Sequence, residues 1–387
     1  MENEIYFDNS ATTKMSPAAK EKMLEVMEKS YGNPSSKHKK GLDSEHCLEE
    51  ARKIILSSLG INRGVRGELI FTSGGTEANN LAILGGVLAK NRKGNEKIMI
   101  SAGEHSSVEE VASHLEKKGF TIIRVPTKNG TLDLDYIKEN ASGVILASFM
   151  NVNNETGAKY DTASAFKIIK SLSPGAICHS DCVQSYMKCS LSPKSLFADM
   201  ISISAHKVNG PKGVGALYVS PEIIKAKKLV PIIFGGGQEE NFRSGTENLY
   251  SICAFGEAVA SHMKNLTNEI EKMNTLREYI IDGLSKIDGV RVNLPTKSAP
   301  HIISLTAMGI KSETLLNALS KRGIYVSSGS ACSSHSKNLS KALLSFGLSE
   351  NDADSTIRVS ISVENTKDEA DIFFEALKEE VTHLARK

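Results

Sequence analysis

Short apolar runs alternate along most of the chain with segments whose apolar residues recur at helical spacing. The first of them read ELIFTS (68–73), TEANNLAILGGVLAKN (76–91), KIMISA (97–102), SSVEEVASHLEKKG (106–119) and TIIRV (121–125). This alternation predicts a largely parallel sheet with helices on both faces. The runs GVILASF (143–149), GAICHSD (175–181), MISISAH (200–206) and GALYV (215–219) continue the sheet. Such sheets bind ligands beyond the carboxyl ends of their strands, so ligand-binding residues are expected in the loops that follow the strands.

The last third of the chain predicts a second, smaller unit. One helical stretch from about Leu249 to Lys286 leads out of the first sheet. Beyond it lie HIISLT (301–306), a helix near Glu313 to Lys321, IYVSS (324–328), a helix from Leu339, TIRVSIS (356–362) and a closing amphipathic helix. A chain of 387 residues is also too long for one ordinary core. We therefore expect an α/β fold with a large domain over residues 15–255 and a small domain from residues 1–14 and 256–387.

Composition narrows the class of protein without naming a partner. Hydrophobic residues make up 40% of the chain and charged residues 24%, with 47 Lys plus Arg against 45 Asp plus Glu. This balance is typical of a soluble globular protein and does not favour nucleic acid. The first residues, MENEIYFDNSATT, are acidic where a signal peptide is basic, and apolar runs are too short to cross a bilayer. We expect a cytoplasmic protein without a membrane partner.

The cysteines are too few for a disulfide scaffold and fit a reducing compartment. The six are Cys47, Cys178, Cys182, Cys189, Cys253 and Cys332. The group formed by Cys178, His179, Cys182 and Cys189 suggests zinc, but it lacks a second CxxC or HxxxH arm and follows an apolar strand. We expect no metal there.

A glycine turn and a lysine stand out after two of the predicted strands. FTSGGT (71–76) runs from a strand through glycines into a helix, whose free N–H groups suit an anion, although the same glycines serve plain tight turns equally well. Further on, Ser204, His206 and Lys207 leave a buried strand together before a Gly-Pro turn. A lysine at a strand end beside a hydroxyl and an imidazole favours a Schiff base. Lys212 nearby is expected to be a solvated charge.

Two further strand ends carry an acid and an imidazole. Asp181 ends GAICHSD, so it and Lys207 can face opposite ends of one flat cofactor, as pyridoxal phosphate requires. The alternative is that Asp181 caps a helix over the CVQSYM that follows it. His105, in SAGEHSSV, can stack on the cofactor ring and move a proton, or simply cap the next helix.

Cys332 differs from the other cysteines in its surroundings. It sits in VSSGSACSSHSKN (326–338), a run of small polar residues that predicts a loop rather than a core segment. Such a position suits a nucleophilic thiolate that accepts a group from a substrate and passes it on. The alternative is an accidental surface thiol.

Taken together, these motifs resemble those of the cysteine desulfurases, pyridoxal-phosphate enzymes of fold-type I in the class V aminotransferase group. The matching segments are YFDNSATT (6–13), YGNPSSKH (31–38), FTSGGTEANNLAI (71–83), GEHSSV (103–108), NVNNETG (151–157), HSDCVQ (179–184), SAHKVNGPKGVGALYV (204–219), FGGGQEENFRSGTEN (234–248), SSGSACSS (327–334) and IRVS (357–360). The resemblance therefore extends over nearly the whole chain. Two positions depart from the usual pattern, because Met187 and Ser362 stand where a glycine is common.

The resemblance implies a role for each matching residue. Lys207 binds the cofactor as an imine, Asp181 pairs with the pyridine nitrogen, and His105 stacks on the ring. Gln184 and Asn154 bond the ring hydroxyl, and Asn154 also lies beside the substrate.

The phosphate and the substrate carboxylate are assigned in the same way. The phosphate contacts are Gly75, Thr76, Ser204 and His206, joined by Thr246 from the other subunit of a homodimer. Arg358 clamps the substrate carboxylate, a task that suits a planar bidentate donor. The alternative for Arg358 is a surface ion pair.

The implied reaction converts L-cysteine to L-alanine and leaves a persulfide on Cys332. The persulfide passes to a sulfur-acceptor protein, either an iron–sulfur scaffold or a sulfurtransferase, so that iron–sulfur clusters or thio-cofactors are supplied. Three alternatives stay open: a selenocysteine lyase, another aminotransferase-like pyridoxal-phosphate enzyme, and a non-catalytic sulfur-relay subunit. A loop thiol argues against the aminotransferase, and the complete set of Lys207, Asp181, His105 and Cys332 argues against the non-catalytic subunit.

Overall fold

The computed structural model describes residues 4–89, 96–328 and 339–384. Its strands are β1 Ile5–Tyr6, β2 Leu69–Thr72, β3 Lys97–Ser101, β4 Thr121–Val125, β5 Val144–Met150, β6 Ile177–Asp181, β7 Met200–Ser204, β8 Gly215–Val219, β9 Val290–Val292, β10 Ile302–Ala307, β11 Ile324–Tyr325, β12 Ser327–Ser328 and β13 Thr356–Ser360. Cys332 lies outside the described residues.

Helices connect and cover these strands. They are α1 Pro17–Lys29, α2 Lys39–Ser58, α3 Gly75–Asn80, α4 Gly86–Leu88, α5 Ser106–Glu116, α6 Leu134–Asn140, α7 Thr162–Leu172, α8 Pro193–Leu196, α9 Pro221–Lys225, α10 Leu249–Met263, α11 Leu266–Leu284, α12 Ser312–Ser320, α13 Lys341–Phe346, α14 Glu350–Asp354 and α15 Lys367–Leu384. A π-helical turn, Leu81–Gly85, joins α3 to α4. Among the described helices, none is both long and apolar enough to cross a membrane.

The larger sheet has seven strands in the order β2-β8-β7-β6-β5-β3-β4. Strands β3 to β7 pair in parallel, as the strand–helix alternation predicts. The exception is β8, which runs antiparallel to both β7 and β2. Residues 205–214 separate β7 from β8, which is too short a connection for a crossover helix. The α/β expectation is confirmed, with one reversed strand near the edge.

The strands of this sheet are buried on both faces, where helices cover it. Strands β6, β7 and β8 are buried at every position, and the larger core includes Phe149 on β5 and Phe166 on α7. The rings of those two residues stack with centroids 5.6 Å apart. A Phe166→Ala change should therefore cost about 3–5 kcal/mol of unfolding free energy.

A smaller sheet in the order β12-β13-β10-β9 has a separate core. Helices α11, α12 and α15 pack around it, and Phe7 from the N-terminal segment lies in its core with a ring 5.7 Å from that of Phe373. Asp8 then bridges to Ser360 on β13. The N-terminal residues are therefore joined to the C-terminal unit.

The single long helix expected from Leu249 to Lys286 is two helices, so that prediction is wrong in detail. Helix α10 ends at Met263 and α11 begins at Leu266, because Asn265 has a non-helical φ of −136°. Asparagine competes for backbone hydrogen bonds and favours helix ends.

Candidate active site

The candidate site lies at the carboxyl ends of parallel strands. In the pairing of β6 with β7, Asp181 stands opposite Ser202, so the residues that leave both strands meet at one edge. Lys207 follows β7 at the end of a 3-10 turn, Ala205–Lys207. The strand order therefore brings the predicted acid and the predicted lysine to the same edge of the sheet.

Lys207 is fixed by the N-terminal segment. Its Nζ donates to the carbonyl oxygens of Ser10 at 2.5 Å and Ala11 at 2.7 Å. Gln184 donates through Nε2 to the same Ser10 oxygen at 2.9 Å. Lys207 and Gln184 thus share one acceptor, and the segment YFDNSATT forms part of the site.

Asp181 has a hydrogen-bond donor at each carboxylate oxygen. Its Oδ2 accepts from Asn79 Nδ2 at 2.7 Å, and its Oδ1 accepts from the backbone N–H of Val183 at 2.9 Å. The residues that follow it in the described chain form turns and no helix, so the alternative of a helix cap is wrong. The carboxylate is buried and held on two sides.

His105 caps helix α5 and also belongs to the site. Its Nδ1 accepts from the backbone N–H of Ser107 at 3.1 Å, as expected of a cap. Burial lowers the pKa of His105, while the charge of Asp181 raises it and that of Lys207 lowers it. Because both charges act on the ring, the two interpretations of His105 are compatible.

Glycines bring the turn after β2 against the ends of β6 and β7. A Cβ on Gly75 would lie 2.7 Å from Val183 Cγ2 and 3.7 Å from Ser204 Cβ. Gly74 has a φ of 156°, a value that residues other than glycine rarely adopt. The missing Cβ of Gly75 therefore lets the backbone at the start of α3, where Thr76 is exposed, pack against Val183, at ordinary van der Waals distance from Ser204.

His206 lies beside the same N-terminal segment. Its Nδ1 is 3.2 Å from the hydroxyl of Thr12, and its carbonyl accepts from Thr13. Burial lowers the pKa of His206 to about 4, with a further contribution from the charge of Lys207. The imidazole is therefore neutral near pH 7.

Several buried polar atoms at this edge have no hydrogen-bond partner among the described residues, including Ser204 Oγ and Gln184 Oε1. Buried polar atoms in native proteins normally have a hydrogen-bond partner, so we expect these atoms to bond a group that does not belong to the described residues. A small molecule with a phosphate and a ring hydroxyl meets the needs of Ser204 Oγ and Gln184 Oε1. The residues present therefore fit pyridoxal phosphate.

Arg358, on β13, faces the site from the smaller sheet. Its Nη1 donates to the carbonyl of Asn154 at 2.7 Å, and its Nη2 pairs with Asp8 Oδ1 at 2.8 Å. The residue is only 5% exposed, so the alternative of a surface ion pair is wrong. Its Nε is buried without a partner in the described parts of the chain. The guanidinium is fixed on two sides and keeps a donor for a ligand.

Two buried bases near Arg358, Lys188 and His301, were not predicted from the sequence. Lys188 Nζ and both ring nitrogens of His301 are buried without a partner in the described ranges. Burial lowers the pKa of Lys188 to about 7, helped by the charges of Lys207 and Arg358. Burial and the charges of Lys188, Arg358 and Lys207 lower the pKa of His301 well below its usual value. Neither residue stands in a motif that signals chemistry, and only their burial reveals them.

Two buried acids flank the site. Glu104 accepts from Ser101 Oγ at 2.6 Å and the Met150 N–H at 2.9 Å, and burial raises its pKa to about 8. Glu155 accepts from Ser340 Oγ at 2.5 Å, and burial raises its pKa to about 7.

Thr246 is exposed and stands apart from the contacts described so far. It lines a cavity of ≈180 Å³ together with Thr72, Ser73 and Arg243. The role that the resemblance implies for Thr246 requires a second subunit.

The Cys178 to Cys189 group is buried in the sheet and the turns after it. Burial raises the pKa of Cys178 and Cys182 to about 12, so these thiols are protonated near pH 7. His179 lies between Ser148 Oγ at 2.8 Å and Ser202 Oγ at 2.9 Å. These side chains are satisfied by packing and by neighbouring hydroxyls.

Met187 shows why glycine is common at its position. Its φ is 54°, a left-handed conformation that costs a side-chain residue about 1–2 kcal/mol. Its side chain is nevertheless buried in the larger core. Packing of the thioether chain offsets the strain here.

Comparison with known proteins identifies the family. The family model described as aminotransferase class-V matches residues 5–373. The chain is 36% identical to "Cysteine desulfurase IscS 1" of Archaeoglobus fulgidus, covering 96% of this chain and 95% of that protein. It is 37% identical to "NifS/IcsS protein homolog" of Lactobacillus delbrueckii subsp. bulgaricus, covering 99% and 98%.

A solved structure named "NIFS-LIKE PROTEIN" superposes with a TM-score of 0.91 and 31% identity, covering 99% of this chain and 100% of that one. The likeness therefore includes both the sequence and the fold. The chain belongs to the class V aminotransferase family and, within it, to the cysteine desulfurases.

Proposed function

We propose that this protein removes sulfur from L-cysteine with pyridoxal phosphate bound at Lys207, and holds the sulfur as a persulfide on Cys332. The observation that carries the proposal is the meeting of Lys207, Asp181 and His105 at one edge of the sheet, beside the unpartnered atoms Ser204 Oγ and Gln184 Oε1. The family to which the chain belongs supports the same reaction.

The family resemblance and the positions of the side chains support the cofactor contacts. Bound pyridoxal phosphate would supply an electron sink, which makes the substrate Cα proton acidic. Asp181 would hold the pyridine nitrogen, and His105 would contact the ring. Gln184 Oε1 and Asn154 would bond the ring hydroxyl.

The phosphate site is formed by the turn after β2 and the residues after β7. Its members are Gly75, Thr76, Ser204 and His206. Ser204 supplies a hydroxyl with a free hydrogen-bonding capacity, and the glycines let backbone N–H groups approach an anion.

Arg358 and Asn154 orient the substrate. Arg358 is fixed by Asp8 and by the carbonyl of Asn154, so that its remaining N–H groups can bind a carboxylate without rearrangement. Lys207 would hold the cofactor when it is bound, and its Nζ is the group that would take the proton from the substrate Cα.

Sulfur transfer completes the reaction. The Cys332 thiolate attacks the substrate sulfur, and an S–S bond forms as the Cβ–S bond breaks. The electron pair of that bond stays on the substrate Cβ, which takes up a proton. The proton taken by Lys207 Nζ returns to Cα, and L-alanine leaves. The persulfide then passes to a sulfur-acceptor protein, an iron–sulfur scaffold or a sulfurtransferase, in the cytoplasm.

We also propose a homodimer in which Thr246 completes the phosphate site of the partner subunit. Thr246 is exposed, and its segment carries the apolar side chains of Phe234, 81% exposed, and Tyr250, 41% exposed. Exposed apolar side chains on one segment favour a protein interface. The two cores support the division into residues 15–255 and residues 1–14 with 256–387.

The test is to supply the purified protein with pyridoxal phosphate, L-cysteine and a thiol reductant, and to quantify alanine and sulfide. We expect equal amounts of both products, and neither from Lys207→Ala. Cys332→Ala should bind the cofactor yet form no persulfide, whereas the matched variant Cys47→Ala should behave as the unmodified protein.

Other outcomes point elsewhere. A normal persulfide yield in Cys332→Ala would contradict the role of that thiol. Cofactor absorbance without sulfide or alanine would argue for a different amino-acid substrate, and a faster reaction with selenocysteine than with cysteine would identify a selenocysteine lyase.

A further inference from the structure

Asn79 is a buried carboxamide on α3 that makes two side-chain contacts at the site. It is 1% exposed. Its Nδ2 donates to Asp181 Oδ2 at 2.7 Å and to Ser107 Oγ at 2.8 Å. This one side chain therefore contacts both the acid, Asp181, and Ser107, which lies in the first turn of the helix capped by His105.

The orientation of the carboxamide is settled by its partners. Both contacts are made by the nitrogen, while Oδ1 is buried without a partner among the described residues. Exchange of the two atoms would turn Oδ1 toward the Asp181 carboxylate, which has no hydrogen to donate. Each of the two N–H groups of Asn79 therefore has one acceptor.

The contacts continue from Ser107 to His105. The backbone N–H of Ser107 donates to His105 Nδ1 at 3.1 Å, so Nδ1 is an acceptor and the ring hydrogen lies on Nε2. Ser107 Oγ accepts from Asn79 and lies 2.8 Å from the same Nδ1. Its own hydrogen is therefore directed at Nδ1. Each hydrogen-bond donor in this series from Asn79 through Ser107 to His105 therefore has one defined acceptor.

We propose that Asn79 is a positioning residue that joins Asp181 to His105: one N–H holds the carboxylate, and the other orients the Ser107 hydroxyl so that His105 keeps its hydrogen on Nε2. The proposal rests on the proposed function in so far as Asp181 and His105 contact the cofactor. Asn79 itself touches neither cofactor nor substrate in this assignment. It sets the geometry of two residues that do.

The charges around His105 agree with a neutral ring. Asp181 and Lys207 act on it with opposite signs, and burial lowers its pKa. A second hydrogen on Nδ1 would break the bond from the Ser107 N–H. The imidazole is therefore held as a neutral Nε2–H form that can donate toward a ligand.

The adjacent residue provides a matched control. Asn80 is the same residue type on the same helix, and its Nδ2 donates to the backbone oxygen of Thr76 at 2.8 Å in a solvent-exposed hydrogen bond. An effect of Asn79→Ala that Asn80→Ala lacks cannot come from a lost asparagine in α3 as such.

The experiment has two readouts on the full chain. The first is the imidazole nitrogen resonances of protein labelled with ¹⁵N-histidine and stripped of cofactor, with the His105 signals assigned by their loss in His105→Gln. The second is the dissociation constant for pyridoxal phosphate, measured by fluorescence titration.

We expect Asn79→Ala to move the His105 Nδ1 resonance and to weaken cofactor binding by about 10- to 100-fold, as loss of a hydrogen bond to a charged group does. Ser107→Ala should move the same resonance but weaken cofactor binding by less than about 10-fold, since the bond to Asp181 remains. Asn80→Ala should change neither readout.

An unchanged His105 resonance in both Asn79→Ala and Ser107→Ala would overturn the proposal, and so would equal effects of Asn79→Ala and Asn80→Ala. Asn79→Leu fills similar space without donors, so recovery of both readouts in that variant would show a packing role and also overturn it. If the unmodified protein fails to bind pyridoxal phosphate, the proposed function fails instead, while the resonances still test Asn79. Should Asn79→Ala not fold, Ser107→Ala and Asn79→Leu decide.

Discussion

Two groups of buried polar side chains meet at the candidate site and differ in how they are satisfied. In the Asp181 group, which comprises Asp181, Asn79, Ser107 and His105, donors and acceptors pair within the chain and only Asn79 Oδ1 lacks a described partner. In the Arg358 group, which comprises Arg358, Lys188 and His301, four nitrogens are buried without a partner in the described residues.

This difference between the two groups indicates where a bound ligand contributes binding energy. The Asp181 group is complete before any ligand arrives, so it orients its acid and imidazole in advance. The Arg358 group carries positive charge and unmade hydrogen bonds in a buried place, which is unfavourable until an anion enters. We therefore expect changes in the first group to affect cofactor binding and changes in the second to affect substrate binding.

The largest expected effect comes from Arg358→Lys. A lysine keeps the charge but loses the planar fork, so the KM for cysteine should rise by about 10- to 100-fold. Cofactor affinity should stay unchanged, as measured by titration. Arg291→Lys is the matched control, because Arg291 pairs with Asp352 at 2.9 Å on the exposed side of the smaller sheet. Equal losses of cofactor and substrate binding in Arg358→Lys would remove the distinction between the two groups.

Lys188→Met tests whether the Arg358 group is strained without its ligand. Because the pKa of Lys188 is lowered to about 7, the folded state resists protonation, and the stability that this group contributes is lost as pH falls from about 10.5 to about 7. Removal of the buried amine should therefore stabilise the protein by about 1–3 kcal/mol at pH 6.5. The gain in Tm should shrink at pH 9.5.

The control for that measurement is Lys212→Met, which removes an exposed lysine from the turn after β7. A gain in Tm that is the same at both pH values would show that Lys188→Met acts by packing alone. It would then say nothing about strain in the Arg358 group.

Asp8→Asn tests whether the clamp depends on its fixed orientation. The substitution keeps an oxygen for Arg358 Nη2 but removes the charge, so the KM for cysteine should rise by about 5- to 10-fold with kcat unchanged. Asp352→Asn breaks the comparable pair with Arg291 away from the site and should leave KM unchanged. A fall in kcat without a change in KM would place Asp8 in the chemistry instead of the clamp.

Much of this arrangement could be predicted from the sequence. The alternation of strands and helices predicts the parallel strands β3 to β7, and the residues at the ends of β6 and β7 then fall at one edge. Asp181 and Lys207 are found this way because strand ends of a parallel sheet share an edge whatever the helices between them contain. The reversed direction of β8 follows from its short connection to β7. The sequence does not indicate this direction, because the apolar run of β8 resembles those of the parallel strands.

The remaining features depend on contacts between distant segments. The carbonyls of Ser10 and Ala11 bind Lys207 from almost two hundred positions away, and backbone groups carry no signal in a sequence. Asn79 looks like any polar residue of an amphipathic helix. Lys188 looks like a surface lysine, and only its burial in the fold gives it an unusual pKa. Cys332 lies outside the described residues, so its role remains a prediction.

The smallest expected effect distinguishes the two groups by the sign of a pH dependence. Glu104 lies beside the Asp181 group, and burial raises its pKa to about 8. A raised carboxyl pKa contributes stability that is complete below the unfolded value of about 4.5 and lost as pH rises through about 8, opposite to the trend of Lys188. Glu104→Gln should therefore gain stability over the unmodified protein as pH rises, and its lead at pH 9 should exceed its lead at pH 5.5 by about 1 kcal/mol or more.

Thermal unfolding of the cofactor-loaded protein at both pH values measures this difference, with the exposed Glu110→Gln as control. Parallel Tm values across the range would mean that Glu104 is ionised in the folded protein and that the Asp181 group tolerates a second negative charge. The expected divergence would instead show a neutral acid beside Asp181. Cofactor orientation would then rest on one carboxylate, while the positive charge needed for the substrate stays with Arg358.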